Sequence, residues 1–535
     1  MTAILQTVFF MLVVLVVVAV AAKRLNISPS IVLVIAGIGV ALIPGLPRVE
    51  LAPEVVLLVI LPPLIYSAGV SMSWRDFRFN LRPIALLAFG CVIFTTCAVA
   101  AAAHYLLDFG WSVGFLLGAI VSPTDVVAPL AIARQLGLPR RIVVVLEGEG
   151  LANDATALVL YKFAVVAVST GTFSLEKASG TFVLIVIGEI VYGLAVGWLS
   201  LRVRQWAHEP RVEITLSMMT PYLAFWLPAY LGGSGVLATV ACGLYVSWVG
   251  PRLIPSATRL QGIFFWDLAV YLIEGLVFLL TGLQARTLLE QGHAFSIREL
   301  LVATAWTILI TLVARFIWVF PATYLPRWVS PALKKRDPSP RWQTAFFLAF
   351  TGVRGVDSLA IALAIPYAVV GGAPFPHRDL ILFVTFGVII VTLIGQGGML
   401  PYVMRWLGLH HEGKAERKRE IEAELSARKA ALKEVHQRLD KVIKEHRLPA
   451  EAVEHLRTRN QSREQILPPN LTDGLNQTRR TAKIKTELIE AERDFIYELL
   501  RDGKITDEAR RRIEYELDLE EASVANRGQD GGGWM

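Results

Sequence analysis

Residues 112–133 read SVGFLLGAIVSPTDVVAPLAIA, an apolar segment long enough to cross a membrane that is interrupted at its middle by SPTD, Ser122 to Asp125. Proline removes a helical hydrogen bond, and polar residues at this depth are costly to expose to lipid. A second interruption, TGVRGVD, runs from Thr351 to Asp357 in a later apolar segment that crosses in the opposite direction. Paired broken helices in inverted positions are typical of the ion site of a secondary transporter.

Apolar residues dominate most of the chain. Of the 535 residues, 54% are hydrophobic and 18% are charged, and the mean hydropathy is +0.53. This composition excludes an ordinary soluble globular protein and predicts an all-α, polytopic membrane protein. Residues 1–408 form the predicted transmembrane domain, and residues 409–535, rich in Glu, Lys and Arg, form a predicted helical cytosolic tail with a regulatory role.

Runs that can cross about 30 Å of hydrocarbon predict about 13 transmembrane helices in inverted repeats, with two crossed broken helices. Lys and Arg are concentrated in alternate loops, which are cytoplasmic by the positive-inside rule. The N-terminus is therefore expected outside and the tail inside. The predicted spans are approximately 3–22, 30–43, 53–70, 84–107, 112–133, 142–168, 180–201, 212–230, 235–250, 264–283, 299–320, 343–368 and 380–404.

Several function classes lack their sequence signals. Cys91, Cys97 and Cys242 lie singly in apolar segments, so neither a disulfide framework nor a cysteine metal site is indicated. Much of the formal net charge of +7 lies in short loops, which favours a topological role over nucleic-acid binding. The sequence contains no nucleotide-binding fingerprint, zinc-protease motif or nucleophile elbow, so neither a cofactor nor an enzymatic activity is expected.

Three charges are predicted at one depth near the middle of the membrane. At 1.5 Å per residue, Asp154 lies about 18 to 20 Å beyond Arg141, and Asp125 and Arg354 reach similar depths. An ionisable group there costs at least about 2.5 kcal/mol, so it should face a partner or a water-filled cavity. A carboxylate that holds either a proton or a cation would couple the two movements, as an antiporter requires.

Asp154 is the predicted centre of the transport site. Because the neighbouring Asn153 is neutral, one carboxylate would exchange one proton for one monovalent cation, and electroneutral exchange is expected. Thr124 and Asp125 in the first broken helix complete the candidate cation and proton site.

Glu149 precedes Asn153 by about one helical turn and shares its face, whereas Asp154 is turned away from it. A mid-membrane arginine needs an anion, so Glu149 is predicted to form a structural ion pair with Arg354, with gating as the alternative role.

Five motifs in this order resemble the cation/proton antiporter family of sodium/proton exchangers: LPPLI (61–65), SPTD (122–125), GEGLANDA (148–155), FLLTGL (278–283) and TGVRG (351–355). The resemblance covers approximately residues 1–408 of the chain. It implies a sodium or potassium for proton exchanger of the cell membrane, with a dimerisation domain and a core domain that moves as an elevator. A homodimer and roles in pH and sodium homeostasis are expected with it.

The resemblance also assigns residue roles. It implies an ion site at Asn153 and Asp154, a helix crossing lined by Thr124 and Asp125, and a stabilising pair of Glu149 and Arg354. This chain departs from the family at Ser67, where many members carry a carboxylate, which leaves ion coordination and cavity charge open. The role of Ser122 is open as well.

The residues leave alternatives for the function. The expected partners are H⁺, Na⁺ or another monovalent cation, membrane lipid and a second copy of the chain. A K⁺/H⁺ exchanger and a cation channel on the same scaffold are the alternatives, and a channel differs because a continuous pore does not require one group that binds both ion and proton.

Overall fold

The computed structural model describes residues 2–25, 27–43, 52–172, 174–291, 295–369, 372–446, 453–458, 471–502 and 504–528. These ranges are helical apart from turns and loops and contain no β-strand, which confirms the predicted all-α fold. The chain divides into two compact units, Met1–Gly413 and Lys414–Met535.

The first unit contains the apolar helices. In chain order they begin with α1 (Thr2–Leu25), α2 (Pro29–Ala41), α3 (Pro53–Ser71), α4 (Trp74–Phe79), α5 (Leu81–Leu107), α6 (Trp111–Val121), α7 (Val127–Leu136), α8 (Arg140–Thr170) and α9 (Leu175–Ala207). They continue with α10 (Pro210–Tyr230), α11 (Val236–Leu253), α12 (Ser256–Gln291), α13 (Ile297–Val329), α14 (Pro331–Arg336), α15 (Trp342–Phe350), α16 (Val356–Leu363), α17 (Arg378–Trp406) and the start of α18 (Leu409–His446).

Each predicted span coincides with one of these helices or with a pair of short ones. Eight helices in the described part of the chain are long and apolar enough to cross a membrane, and the shorter helices α2 and α6 are also apolar. The protein is therefore a polytopic membrane protein. The count of about 13 spans stays a prediction.

Both predicted interruptions are breaks between helices. The helix α6 ends at Val121 and α7 begins at Val127, while α15 ends at Phe350 and α16 begins at Val356. Each break creates two helix ends inside the bundle, and the backbone groups at those ends need partners. The polar side chains of SPTD and TGVRGVD lie at these helix ends and can serve as the partners.

The helix α8, which carries Glu149 and Asp154, is continuous and central. Of its apolar window 67% is buried, compared with 17% for the neighbouring α9. The helix packs against α5, α6 and α11, whereas α9 turns most of its apolar surface outward. The acidic residues of α8 are therefore placed in the interior of the unit rather than toward lipid.

The second unit is polar. It contains the rest of α18, together with α19 (Leu471–Arg501) and α20 (Asp507–Gly528), which pack on each other. Arg493 of α19 contacts Asp518 and Glu521 of α20 at 2.5 and 2.6 Å. Helices lie where the tail was predicted to be helical, and its cytosolic location and regulatory role stay predictions.

Candidate cation site at the helix crossing

The two broken helices contact each other through their non-helical segments. The backbone N–H of Asp125 donates to the carbonyl of Val353 over 2.8 Å. Gly355 lies against the same aspartate, and a Cβ atom at this glycine would come within 2.4 Å of the Asp125 Cβ. A side chain at position 355 would therefore displace Asp125, so the crossing depends on glycine there.

Charged residues occupy the helix ends that the breaks create. Asp125 Oδ1 accepts from the N–H of Val127 over 2.8 Å at the start of α7, and Asp357 lies in the first turn of α16. Arg354 Nε donates to the carbonyl of Val121 over 2.7 Å at the end of α6. Helix N-termini favour negative charge and C-termini favour positive charge, so each group is placed where the helix dipole stabilises it.

Asn153 is held by two contacts to Thr124 that fix the orientation of its amide. Its Nδ2 donates to the Thr124 carbonyl over 2.8 Å and to the Thr124 hydroxyl over 3.0 Å. A carbonyl oxygen only accepts, so the amide nitrogen must face Thr124 and Oδ1 must face away. Among the described residues, neither Asn153 Oδ1 nor Asp125 Oδ2 has a hydrogen-bond partner, and both atoms are buried.

Glu149 forms a buried ion pair with Arg315 of α13. Arg315 Nη1 donates to Glu149 Oε1, and Nη2 donates to Oε2 over 2.9 Å. The Thr124 hydroxyl donates a third hydrogen bond to Glu149 over 3.0 Å. Arg315 also donates to the carbonyl of Leu348 from Nε and Nη2, at 3.2 and 2.9 Å. Both members of the pair are thus satisfied.

The predicted ion pair between Glu149 and Arg354 is wrong. Arg354 donates to backbone carbonyls, those of Val121 and Gly352, and its own N–H donates to the Thr392 hydroxyl over 3.0 Å. Counting residues from the membrane edge gives the depth of an arginine but not the helix face that it occupies. The side chain at the right depth and on the right face is Arg315.

The Asp154 carboxylate differs from that of Glu149. Its residue is 7% exposed, yet it makes no hydrogen bond or ion pair within the described part of the chain. Asp125 and Asp357 are close enough to act on it electrostatically. Like charges so close disfavour each other, so the region attracts protons or a cation.

The profile of the family described as "Sodium/hydrogen exchanger, transmembrane" matches residues 10–406. The chain belongs to the sodium/hydrogen exchanger family.

Individual relatives agree with this assignment. The exchanger is 33% identical over 516 residues to an uncharacterized Na⁺/H⁺ exchanger of Mycobacterium tuberculosis, covering 94% of this chain and 92% of the relative. It is 34% identical over 377 residues to a sodium, potassium, lithium and rubidium/H⁺ antiporter of Bacillus pumilus, covering 68% of this chain and 56% of that protein. The solved sodium proton antiporter MjNhaP1 of Methanocaldococcus jannaschii has the same fold, with a TM-score of 0.60, 17% identity, and coverage of 75% of this chain and 98% of that one.

Two further candidate residues, Ser122 and Ser67, make no hydrogen bond to Thr124, Glu149 or Asn153 in the described part of the chain. Ser122 closes the end of α6, since its hydroxyl donates to the carbonyl of Ala119 over 3.2 Å. Ser67 is half-buried in α3. Neither placement assigns a role in ion binding.

Two residues of this exchanger carry only a weak signal in the sequence. Asp357 is the last residue of the TGVRGVD motif, and its position in the first turn after a break was the available signal. Arg315 is an isolated arginine in an apolar span, which signals a partner at the same depth. Its partner, Glu149, lies on a helix far away in the sequence, so only the folded structure identifies the pair.

Proposed function

We propose that this exchanger is a secondary active antiporter that carries Na⁺ against H⁺, with Asp154 as the group that binds one or the other. The observation that supports this most is the buried carboxylate of Asp154, which makes no protein hydrogen bond or ion pair among the described residues. Desolvating an acidic group without a partner is costly. Such a group favours a proton or a cation as its partner.

The neighbouring oxygen atoms support a cation at this place. Hard cations prefer carboxylate and carbonyl oxygens. Asn153 Oδ1 and Asp125 Oδ2 are buried oxygens without hydrogen-bond partners, and they belong to residues beside Asp154 in the sequence or at the helix crossing. No three His, Cys, Asp or Glu side chains among the described residues are close enough to chelate a metal ion. The proposed ligands are therefore the carboxylate of Asp154 and the oxygens Asn153 Oδ1 and Asp125 Oδ2.

The coupling of proton and cation transport follows because both compete for the Asp154 carboxylate. A proton on the Asp154 carboxylate removes the charge that attracts the cation, and a bound cation disfavours the proton, so the two are carried alternately. Because Asn153 adds no charge, one proton exchanges for one monovalent cation and transport is electroneutral. The name of the Bacillus pumilus relative includes potassium, lithium and rubidium. K⁺ and Li⁺ are therefore further candidate substrates.

The cellular setting is also proposed. The basic loops are cytoplasmic, which places the N-terminus outside and the tail inside the cell membrane. The exchanger works as a homodimer in contact with membrane lipid, and its transport serves pH and sodium homeostasis.

The test uses the full chain in proteoliposomes that contain a pH-sensitive dye. A Na⁺ pulse is expected to move protons in the opposite direction, and Asp154→Asn is expected to abolish this movement. Asp379→Asn is the matched control, since Asp379 lies in the first turn of α17 with its side chain 44% exposed. The control should keep wild-type exchange. Persistent exchange in Asp154→Asn would disprove the assigned site.

The same preparation separates the alternatives. Repeating the pulse with K⁺ and Li⁺ ranks the cations, and a membrane-potential dye reports the charge moved. A measurable potential coupled to exchange would contradict electroneutrality. Cation flux without proton movement would instead favour the channel.

A further inference from the structure

Three arginines converge on one carboxylate at the end of the bundle where α5 and α8 begin and α13 ends. Asp337, just after α14, accepts from Arg82 Nη2 at 2.8 Å, from Arg141 Nη2 at 2.7 Å and from Arg327 Nη2 at 2.7 Å. Three positive charges face one negative charge, so the cluster keeps an excess of positive charge. We call these four residues the arginine cluster.

The arginine cluster has hydrogen-bond donors that the protein does not use. A guanidinium carries five N–H donors. Arg327 employs all three of its nitrogens, on Asp337 and on the Thr323 carbonyl. Arg82 and Arg141 each contact Asp337 through Nη2, and Nη1 of Arg82 is buried without a partner. A buried donor without an acceptor is unfavourable, which points to an anion that the described residues do not supply.

A pocket is lined by the three arginines of the cluster. Its volume is about 40 Å³, and it is partly open to solvent. Its lining combines the three arginines with apolar side chains of four helices, among them Leu86, Val145 and Val319. The arginines suit a charged group of a ligand, and the apolar side chains suit a hydrocarbon part of the same ligand. A free inorganic anion would contact only the arginines.

We propose that this pocket binds the phosphate headgroup of an anionic phospholipid, with the arginines on the phosphate and the apolar wall along the start of an acyl chain. Guanidinium groups bind phosphate oxygens through paired N–H donors. Basic pockets between transmembrane helices suit lipid headgroups at the membrane surface. The site lies apart from the helix crossing and does not depend on the identity of the transported cation.

The position of this lipid site connects it to the transport helices. Arg141 lies in the first turn of α8, whose later residues include Asp154, and Arg327 lies in the last turn of α13, which carries Arg315. A lipid bound to both would hold the ends of these helices together. Transport in membranes of different headgroup composition is therefore expected to differ.

The binding test uses the purified full chain in detergent, with native mass spectrometry to count retained phosphatidylglycerol. Phosphatidylcholine serves as the neutral lipid and inorganic phosphate as the competing free anion. The double variant Arg82→Gln/Arg141→Gln is expected to lower phosphatidylglycerol affinity about tenfold or more, equivalent to about 1.4 kcal/mol. The double variant Arg202→Gln/Arg341→Gln removes the same charge from arginines outside the pocket and should retain the lipid.

A second variant guards against misfolding of the first. Ala322 lines the pocket without contributing a charge, and Ala322→Phe fills the apolar part while leaving every arginine in place. It should lower lipid retention while the protein remains folded. Undiminished retention in both the arginine and the Ala322→Phe variants would overturn the proposal. Displacement of the lipid by inorganic phosphate, with normal retention in Ala322→Phe, would also overturn it, because the pocket would then be a simple anion site.

Discussion

Glu149 and Asp154 are two buried acidic residues five positions apart on the same helix, and their surroundings are opposite. Glu149 accepts from Arg315 and Thr124, so the protein neutralises it completely. Asp154 has no protein hydrogen bond or ion pair among the described residues. Burial alone therefore does not distinguish the proposed transport residue from a structural one, whereas the lack of a fixed protein partner does.

The largest expected loss of stability follows substitution of Glu149, the carboxylate that Arg315 neutralises. Glu149→Gln leaves the Arg315 charge buried without an anion, which should lower the free energy of unfolding by about 3–5 kcal/mol. Asp154→Asn removes no protein contact and should change stability little while abolishing exchange. Thermal unfolding of both variants in detergent measures the difference. Equal destabilisation by the two substitutions would remove the distinction between the residues.

The identity of the partner of Glu149 can be tested by double-mutant cycles. Glu149→Gln combined with Arg315→Gln should show a coupling energy of about 1–3 kcal/mol, because the two side chains share one ion pair. Glu149→Gln combined with Arg354→Gln should be additive within about 0.5 kcal/mol. Unfolding free energies of the wild type, the three single variants and the two double variants provide the measurement. A larger coupling to Arg354 would restore the pair expected from sequence.

A smaller loss of stability and exchange is expected for substitution of Thr124, which contacts both Glu149 and Asn153. Thr124→Val removes the hydroxyl bonds to Glu149 and Asn153, at a cost of about 1 kcal/mol each. The Thr124 carbonyl still holds the Asn153 amide, so exchange should fall less than tenfold, or about 1.4 kcal/mol. Thr156→Val is the matched control, because its hydroxyl bonds only to the Ala152 carbonyl of its own helix. Loss of all exchange in Thr124→Val would show that the hydroxyl itself binds the ion.

The smallest effect on the pH dependence of exchange is expected for a third acidic residue, Asp337, which lies outside the transmembrane helices. Partial burial alone would raise its pKa, but hydrogen bonds and charges from Arg141, Arg327 and Arg82 outweigh burial and hold the pKa below 3.8. A depressed carboxyl pKa stabilises the fold above the ordinary pKa, and the effect is lost only as pH falls through the lowered value. Asp337→Asn should therefore leave the shape of the exchange–pH profile unchanged above about pH 5. A shifted profile would assign Asp337 a part in proton coupling.

The sequence predicts the two helix breaks and the mid-membrane depth of the charged residues, because both depend on local chemistry. Each motif combines Pro123 or Gly355 with neighbouring polar residues, a pattern that favours a break, and the depth of Asp154 follows from the helical rise. The same rise places Arg315 and Arg354 at comparable depths but does not say which one faces Glu149. That choice depends on which face of α13, and which part of the second break, lies toward Glu149, and the sequence does not encode this locally. Local periodicity also leaves the orientation of the Asn153 amide undetermined, since it depends on the Thr124 carbonyl in the first break.

The hydrogen bond from the Asp125 amide to the Val353 carbonyl also sets an order of assembly. These two residues are far apart in the chain, so the first broken helix is synthesised and inserted long before its partner exists. Until residue 353 arrives, the Asp125 amide lacks this acceptor in a medium that offers few others. The helix crossing is consequently completed only late in biosynthesis, and a truncated chain that stops before the second break cannot form it.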